Sequence, residues 1–400
     1  MKILAIDDQQ LVLLPIQKRL NELGYQVFIE TDPVKGLEMF KTIHPDLVII
    51  DINMPNVSGL DLVKSIRERD SNTPILILSG NTQDQIILQA FELGVNDFMK
   101  KPMSLNEICA RVQNLIGGSL NDKVPYKGDH IMIQQRCVGV VIPCFNEEDR
   151  LLSEEFLKFI KTNSGYHLCF VNDGSTDNTL EVLHTIQNGR EEYISVFDCE
   201  KNGGKAEAVR QGMLFLRKNE QLDYIGFLDA DLSTDFADFD DLVKSIESSN
   251  FQIVSGSRIS RMGANITKES SRKIISFTIN YMIKLILSMN FKDTQCGAKI
   301  FRRDCLDVAF NKKFITRWLF DVEIFMRMKL HYGSEQAKAL ICELPLKRWI
   351  HADGSKLSMK DSLKIGIQLV QIAWHYRKEK SNRNIKTEQL NDLVNPSFLN

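Results

Sequence analysis

The chain has no C-x-x-C pair. Its eight cysteines, Cys109, Cys137, Cys144, Cys169, Cys199, Cys296, Cys305 and Cys342, are scattered along 400 residues. That spacing argues against a zinc module and against a small disulfide scaffold. An excess of one charge is lacking too: 50 Lys and Arg against 52 Asp and Glu leave a formal net charge of −2. Wholesale nucleic-acid binding is therefore not expected. No G-x-x-x-x-G-K-[ST] phosphate loop, internal repeat or low-complexity tract occurs. Met1-Lys2 runs straight into Ile3–Ile6 and then Asp7-Asp8, too short and too soon acidic for a signal peptide, so a reducing cytoplasmic setting is expected. No apolar run reaches the ~20 residues of a membrane span. The nearest, Ile274–Met289, has 16 residues, carries Lys284 and is interrupted by Ser276, Thr278, Asn280 and Ser288, and it reads as an amphipathic or core helix.

What is present is an ordinary globular composition, 43% hydrophobic and 26% charged, in a chain long enough for two domains. Over residues 1–117 short apolar runs (Ile3–Ile6, Gln26–Ile29, Leu47–Ile50, Ile75–Leu78, Val95–Phe98) alternate with amphipathic stretches. Near-continuous apolar strands separated by helices specify a parallel sheet covered on both faces. A polar stretch, 118–135, reads as a linker. A second alternation begins at Cys137, with strands expected at Val138–Ile142, Leu168–Val171, Tyr193–Phe197, Tyr224–Leu228 and Ile253–Ser255, and this domain is expected to run over 136–378. Residues 379–400 read as a polar tail.

In an open α/β sheet, ligands bind at the carboxyl ends of the strands. The first domain puts Asp7 and Asp8 after its first strand and Asp51 at the end of its third. Three carboxylates at one edge repel unless a cation neutralises them, and oxygen ligands suit Mg²⁺. Ser79 ends the fourth strand and Lys101 follows the fifth, a hydroxyl and a positive charge able to hold phosphoryl oxygens. On these residues, 1–117 resemble a response-regulator receiver domain. The resemblance implies a CheY-like (flavodoxin-like) doubly wound fold with Asp51 as phosphoacceptor. It also implies Mg²⁺ on Asp7, Asp8 and Asp51, with Ser79 and Phe98 as switch residues and Lys101 as phosphate sensor. The partner it implies is a histidine kinase or a phosphotransfer protein, and a homodimer through the receiver is a further expectation.

The second domain repeats the strand-end design. Val141–Glu148 is a strand running into a polar turn that includes Pro143, Asn146 and Glu147. Phe170–Asp177 is a strand, the carboxylate Asp173, then a Gly-Ser-Thr-Asp turn. Asn202-Gly203-Gly204-Lys205 offers backbone N–H groups and a lysine to a diphosphate. Asp229 and Asp231 follow a hydrophobic strand at i, i+2, on one side of extended chain, where Mg²⁺ or Mn²⁺ on a nucleotide diphosphate would neutralise them.

This set resembles the family 2 inverting glycosyltransferases of GT-A fold. Gly256-Ser257-Arg258, Asp293–Lys299, Trp318–Glu323 and Gly354–Leu357 look like the dolichyl-phosphate glucosyl- and mannosyltransferases, nearest to the glucosyl type. The resemblance implies hexosyl transfer from a nucleotide-sugar of the UDP-glucose or GDP-mannose type to a polyprenyl phosphate, with inversion. By it Asp173 reads the nucleotide, Asp229 and Asp231 manage metal and diphosphate, and Arg258 and Arg272 hold the acceptor phosphate. Where close relatives have Gln two residues after the D-x-D, this chain has Ser233.

Residues 255–303 carry ten Lys and Arg against Glu269 and Asp293, which suits a lipid phosphate at an anionic surface and a peripheral position at the inner face of the plasma membrane. A second stretch, roughly 358–377, reads as a helix that either lies at the interface or packs on the domain. A hydroxyl acceptor would need a base, and Asp293, Asp321 and Glu323 are the candidates, with Gln295 beside them. Phosphorylation of Asp51 is expected to gate the transferase. The alternatives are transfer to a saccharide or protein hydroxyl, or a signalling scaffold with an inactive transferase domain.

Overall fold

The computed structural model describes residues 1–80, 84–117, 131–259, 265–266, 272–349, 364–379 and 381. The first unit is a five-stranded sheet of β1 (Lys2–Ile6), β2 (Gln26–Glu30), β3 (Leu47–Asp51), β4 (Ile75–Ser79) and β5 (Asp97–Lys100). Its order is β2-β1-β3-β4-β5 and every pairing is parallel. Strands β3 and β4 are buried at every position, as Leu, Ile and Val runs covered on both faces must be. Side chains cap two of the helices: Asp32 accepts from the N–H groups of Val34 and Lys35, and Ser58 from that of Leu60. Gly59 is required where it is, since a Cβ there would overlap the Asp51 carbonyl.

A two-residue strand, β6 (Met103–Ser104), leads out of this sheet into the next. The second sheet contains β7 (Met132–Cys144), β8 (Asn163–Asn172), β9 (Ile194–Asp198), β10 (Tyr224–Leu228) and β11 (Ile253–Ser257). After a short ribbon strand β12 (Asn265–Ile266) come β13 (Ala298–Arg302) and β14 (Ile341–Pro345), and β15 (Arg348–Trp349) pairs with β12. The main order is β14-β11-β13-β10-β7-β8-β9, with β13 antiparallel to both neighbours and the other pairings along it parallel. Between β7 and β10 the strand order reverses direction, the place where an α/β sheet opens a crevice at its carboxyl edge.

The stretch 118–135 is not all linker. Strand β7 begins at Met132 and pairs antiparallel with β6, Met103 opposite Ile133 and Ser104 opposite Met132. Gln134 and Arg136 hid this strand from a reading of composition, because its pairing partner is the other domain. The union continues through the helix Gln10–Glu22, which lies against β7 and β8 with the Ser164 hydroxyl donating to the Leu11 carbonyl at 2.9 Å. One hydrophobic cluster runs without a break from Ile16 and Leu20 through Ile133 and Val141 to Phe325. Among the described residues no helix is long and apolar enough to cross a membrane. The helix Arg272–Leu287 buries Ile283 and Leu287 and exposes Tyr281 and Leu285. Gly354–Leu357 lies outside the described residues, as does the expected tail apart from residues 379 and 381.

Because the core is shared, Ile16→Ala is expected to lower stability by about 2–5 kcal/mol. Urea unfolding followed with probes in each domain should show both transitions moving together; movement of the first alone would mean that the two cores are independent.

Candidate functional site

Two sites form, each at the carboxyl edge of parallel strands. At the first, Lys101 reaches Asp7 at 2.6 Å and Asp51 at 2.9 Å, with all three side chains buried. The Gln9 N–H donates to Asp7 and the Asn53 N–H to Asp51. Ser79 is fully buried one strand over, and Phe98 is partly buried against the same core. Carboxylate oxygens of Asp7, Asp8 and Asp51 lie within 4.8 Å of one another. Burial pushes the Asp7 carboxyl up to about 7, with Asp51 adding repulsion that Lys101 only partly offsets. Asp8 is pushed up to about 6 by burial and by Asp51, and also by Asp223 of the second domain. Burial pulls Lys101 down, and its two carboxylate partners more than reverse that. Three crowded hard-oxygen donors with one lysine between them fit Mg²⁺, which would be held by Asp7, Asp8 and Asp51.

At the second site two turns lock together. Asn146, in left-handed backbone at φ 52°, accepts from the Thr176 N–H at 2.9 Å and donates its own N–H to Ser175. The Glu147 N–H donates to the Thr179 hydroxyl at 2.8 Å. Pro143 pairs in register with Val171, which sets the two strand ends level. Asp173 is buried and accepts from the N–H groups of Gly203 at 2.8 Å and Gly204 at 2.9 Å. The Ala206 N–H goes to the Arg317 carbonyl. This corrects the expectation that the Gly-Gly-Lys loop offers its amides to a diphosphate: those of both glycines are spent on Asp173. What the loop presents is Lys205, which pairs with Asp229. Burial pulls Lys205 down and Asp229 more than compensates, leaving it above its ordinary value.

Asp229 follows β10, and Asp231, two residues on, is exposed, accepting the Ser233 N–H at 2.9 Å. A Cβ at Gly297 would overlap the Asp229 carboxylate, so a larger residue there must displace that side chain. Behind this pair Lys299, fully buried, holds Asp321 at 2.7 Å. Burial pushes Asp321 up. Arg258 grips Asp293 through two guanidinium bonds of 2.7 and 2.8 Å and its own N–H at 2.9 Å. Burial would push Asp293 up, but the Arg258 bonds and charge prevail and hold it down to about 2. Gln295 donates its N–H to Asp293, while its buried side-chain Nε2 has no hydrogen-bond partner among the described residues.

Glu323 is fully buried and turned away from this chemistry. It accepts from Ile315 N–H, from the Thr316 N–H and hydroxyl, and from the Tyr376 hydroxyl. It therefore brackets a loop, and its candidacy as a base has no geometric support. Helix Arg272–Leu287 starts at Arg272, whose side chain lies outside the described residues. Arg317 was missed by the sequence reading. It covers Gly204, and its charge acts on Asp173. It stands alone just outside the Trp318–Glu323 motif and offers no spacing to find it by. Lys299 was visible only as the end of a motif, its role hidden until β13 brought it beside β10, opposite Phe227.

The Arg258–Asp293 pair is a pH-dependent brace. An unfolded Asp titrates near ~3.9, so the pair contributes fully above that pH and is lost as pH falls through about 2. Asp293→Asn is expected to cost about 3–5 kcal/mol at neutral pH. In denaturant unfolding the gap to wild type should narrow by about 2–3 kcal/mol between about pH 4 and 2; a gap constant across that range would show that the charge is not what matters.

Residues 3–113 match the family described as response regulator receiver domain, and residues 139–310 match glycosyl transferase family 2. A dolichyl-phosphate beta-glucosyltransferase of Trichomonas vaginalis is 31% identical over 319 residues, covering 76% of this chain and 90% of that protein. The enzyme of the same name from Dictyostelium discoideum is 30% identical over 254 residues, 60% of this chain and 74% of its own. Among solved structures, the Francisella response regulator 1452 receiver domain aligns at 30% identity over 29% of this chain and 95% of its own, with a TM-score of 0.28. The chain belongs to glycosyl transferase family 2, as a relative of the dolichyl-phosphate beta-glucosyltransferases, and carries a response regulator receiver domain ahead of the transferase.

Proposed function

We propose that the protein transfers a hexose from a nucleotide-diphospho-sugar to a polyprenyl phosphate with inversion, and that phosphorylation of Asp51 gates the transfer. The observation that carries the acceptor class is the state of the carboxylates. Asp293 is tied to Arg258, Asp321 to Lys299 and Glu323 to a loop. None of the three is placed to take a proton from a hydroxyl. A phosphate acceptor needs no base, being an anion already, and the relatives' names point to such a lipid. In the reaction an acceptor phosphate oxygen attacks the anomeric carbon as the bond to the diphosphate oxygen breaks, and nucleoside diphosphate departs. Lys205 puts positive charge beside the leaving group. Asp173 holds the loop that aims Lys205. Gln295, with a donor to spare, is assigned to a substrate oxygen. Mg²⁺ or Mn²⁺ held by Asp229 and Asp231, hard-oxygen donors of which Asp231 is exposed, would supply further charge to the diphosphate.

The surface agrees with a lipid acceptor. On helix 364–379, Ile367, Val370 and Trp374 share one face at i, i+3, i+7 and are 55%, 60% and 68% exposed, while Leu369, Ile372 and Tyr376 are buried. An exposed apolar stripe of that kind suits the lipid–water boundary. On the receiver side, an Asp51 oxygen attacks phosphorus of a phosphohistidine, the P–N bond breaks, and the imidazole leaves. Lys101, which already bridges Asp7 and Asp51, would hold a phosphoryl oxygen. The partner is then a histidine kinase or phosphotransfer protein.

Radiolabelled UDP-glucose or GDP-mannose, supplied with Mg²⁺ or Mn²⁺ and a short polyprenyl phosphate, is expected to yield labelled lipid. Asp231→Ala should reduce the rate by about 100-fold or more, and beryllofluoride should change the wild-type rate. Label appearing only in saccharide or protein would move the acceptor to a hydroxyl, and no nucleotide-sugar binding at all would leave a scaffold. Gly297→Ala provides a geometric check, with transfer expected to fall at least about tenfold while the melting temperature stays within a few degrees, because the added methyl displaces Asp229.

A further inference from the structure

The pocket at Asp51 is not closed by the receiver alone. It is lined by Asp8, Gln9, Asp51, Asn53 and Lys101, and by Arg136, which belongs to β7 of the transferase. Arg136 is held loosely: among the described residues its ion pair is with Asp223 at 3.4 Å, both side chains being partly exposed. The other Asp223 oxygen accepts from Gln9 Nε2 of the receiver at 2.5 Å and from the Cys137 N–H at 3.0 Å. Gln9 is also the residue whose N–H donates to Asp7. A chain of contacts thus runs from the acid cluster through Gln9 and Asp223 to Arg136 and back to the pocket.

We propose that Arg136 is a ligand of the phosphoryl group on Asp51, exchanging its long contact with Asp223 for the phosphoryl oxygens. An aspartyl phosphate brings close to two negative charges and three acceptor oxygens, and a guanidinium fork matches them better than one carboxylate oxygen at 3.4 Å. The exchange frees Asp223 on one side only, leaving Gln9 and the Cys137 N–H as its partners. Asp223 immediately precedes β10, and Arg136 lies two residues before Val138, the partner of Tyr224 in the β7–β10 pair. The far ends of these two strands carry Pro143–Glu147 and Asp229. A shift at the near ends is therefore delivered along two paired strands to the nucleotide-sugar site. The inference rests on the reading of Asp51 as phosphoacceptor and supplies a physical route for gating.

The test is beryllofluoride binding to the full chain with Mg²⁺, titrated by ¹⁹F NMR. Arg136→Gln is expected to bind about tenfold more weakly, the loss of one charge-assisted contact, and Arg136→Lys to recover part of that. Asp223→Asn should bind more tightly than wild type, because it releases Arg136. Opposite signs in the two variants cannot come from a general loosening of the seam. Wild-type affinity in Arg136→Gln, or weakening in both variants alike, overturns the proposal. A wild type that does not bind beryllofluoride overturns the reading of Asp51 together with it. Binding that follows Arg136 as described, with sugar transfer indifferent to beryllofluoride, upholds the ligand assignment and removes only the gating.

Discussion

Negative charge gathered at the ends of parallel strands is the constraint around which both halves of this protein are built. A parallel sheet aligns its carboxyl edge on one side, and both sequences place aspartates there. Such groups are tolerable only when cations answer them. In the receiver Lys101 bridges Asp7 and Asp51. In the transferase Lys205 answers Asp229, and Lys299, fully buried, answers Asp321 one layer down. The acid beyond what lysine neutralises, Asp8 at one edge and Asp231 at the other, is more open to solvent, and it is where a divalent ion and its phosphate ligand would complete the balance.

The strand-end chemistry was legible because it is local. A strand is recognised by its apolar run, and the residue that follows it is at the carboxyl edge whatever the neighbouring strands do. Asp7, Asp8, Asp51, Lys101, Asp229 and Asp231 were found that way. Roles set by backbone partners were not legible. Nothing in the order of residues says that Asp173 takes the N–H groups of Gly203 and Gly204, or that Glu323 turns back onto Thr316. Both are carboxylates in motifs, and a motif does not record the direction in which a side chain points. The same limit hid the start of β7, since the short mixed sequence Ile131–Arg136 gains its strand partner from β6, more than 25 residues earlier.

The seam between domains follows from that hidden pairing. A flexible linker would let the receiver report to the transferase only by occlusion or dimerisation. Here β6 joins β7, the helix Gln10–Glu22 is covered by β7 and β8, and the cores are continuous. Packed cores transmit displacement because they have no slack to absorb it. The polar residues Gln9, Arg136 and Asp223 form the hydrogen-bonded part of this seam, and Gln9 and Arg136 line the pocket at Asp51.

The choice of nucleophile can be argued from the same balance of charge. An enzyme that deprotonates a hydroxyl needs a carboxylate with an unfilled oxygen facing the reacting carbon. Asp293 is the most strongly acidified of the candidates, and a group held near 2 by Arg258 is a poor proton acceptor at neutral pH. Burial pushes Asp321 up, but Lys299 sits against it at 2.7 Å. An acceptor that arrives already charged needs no such base, which is why the paired state of these carboxylates favours a phosphate over an alcohol.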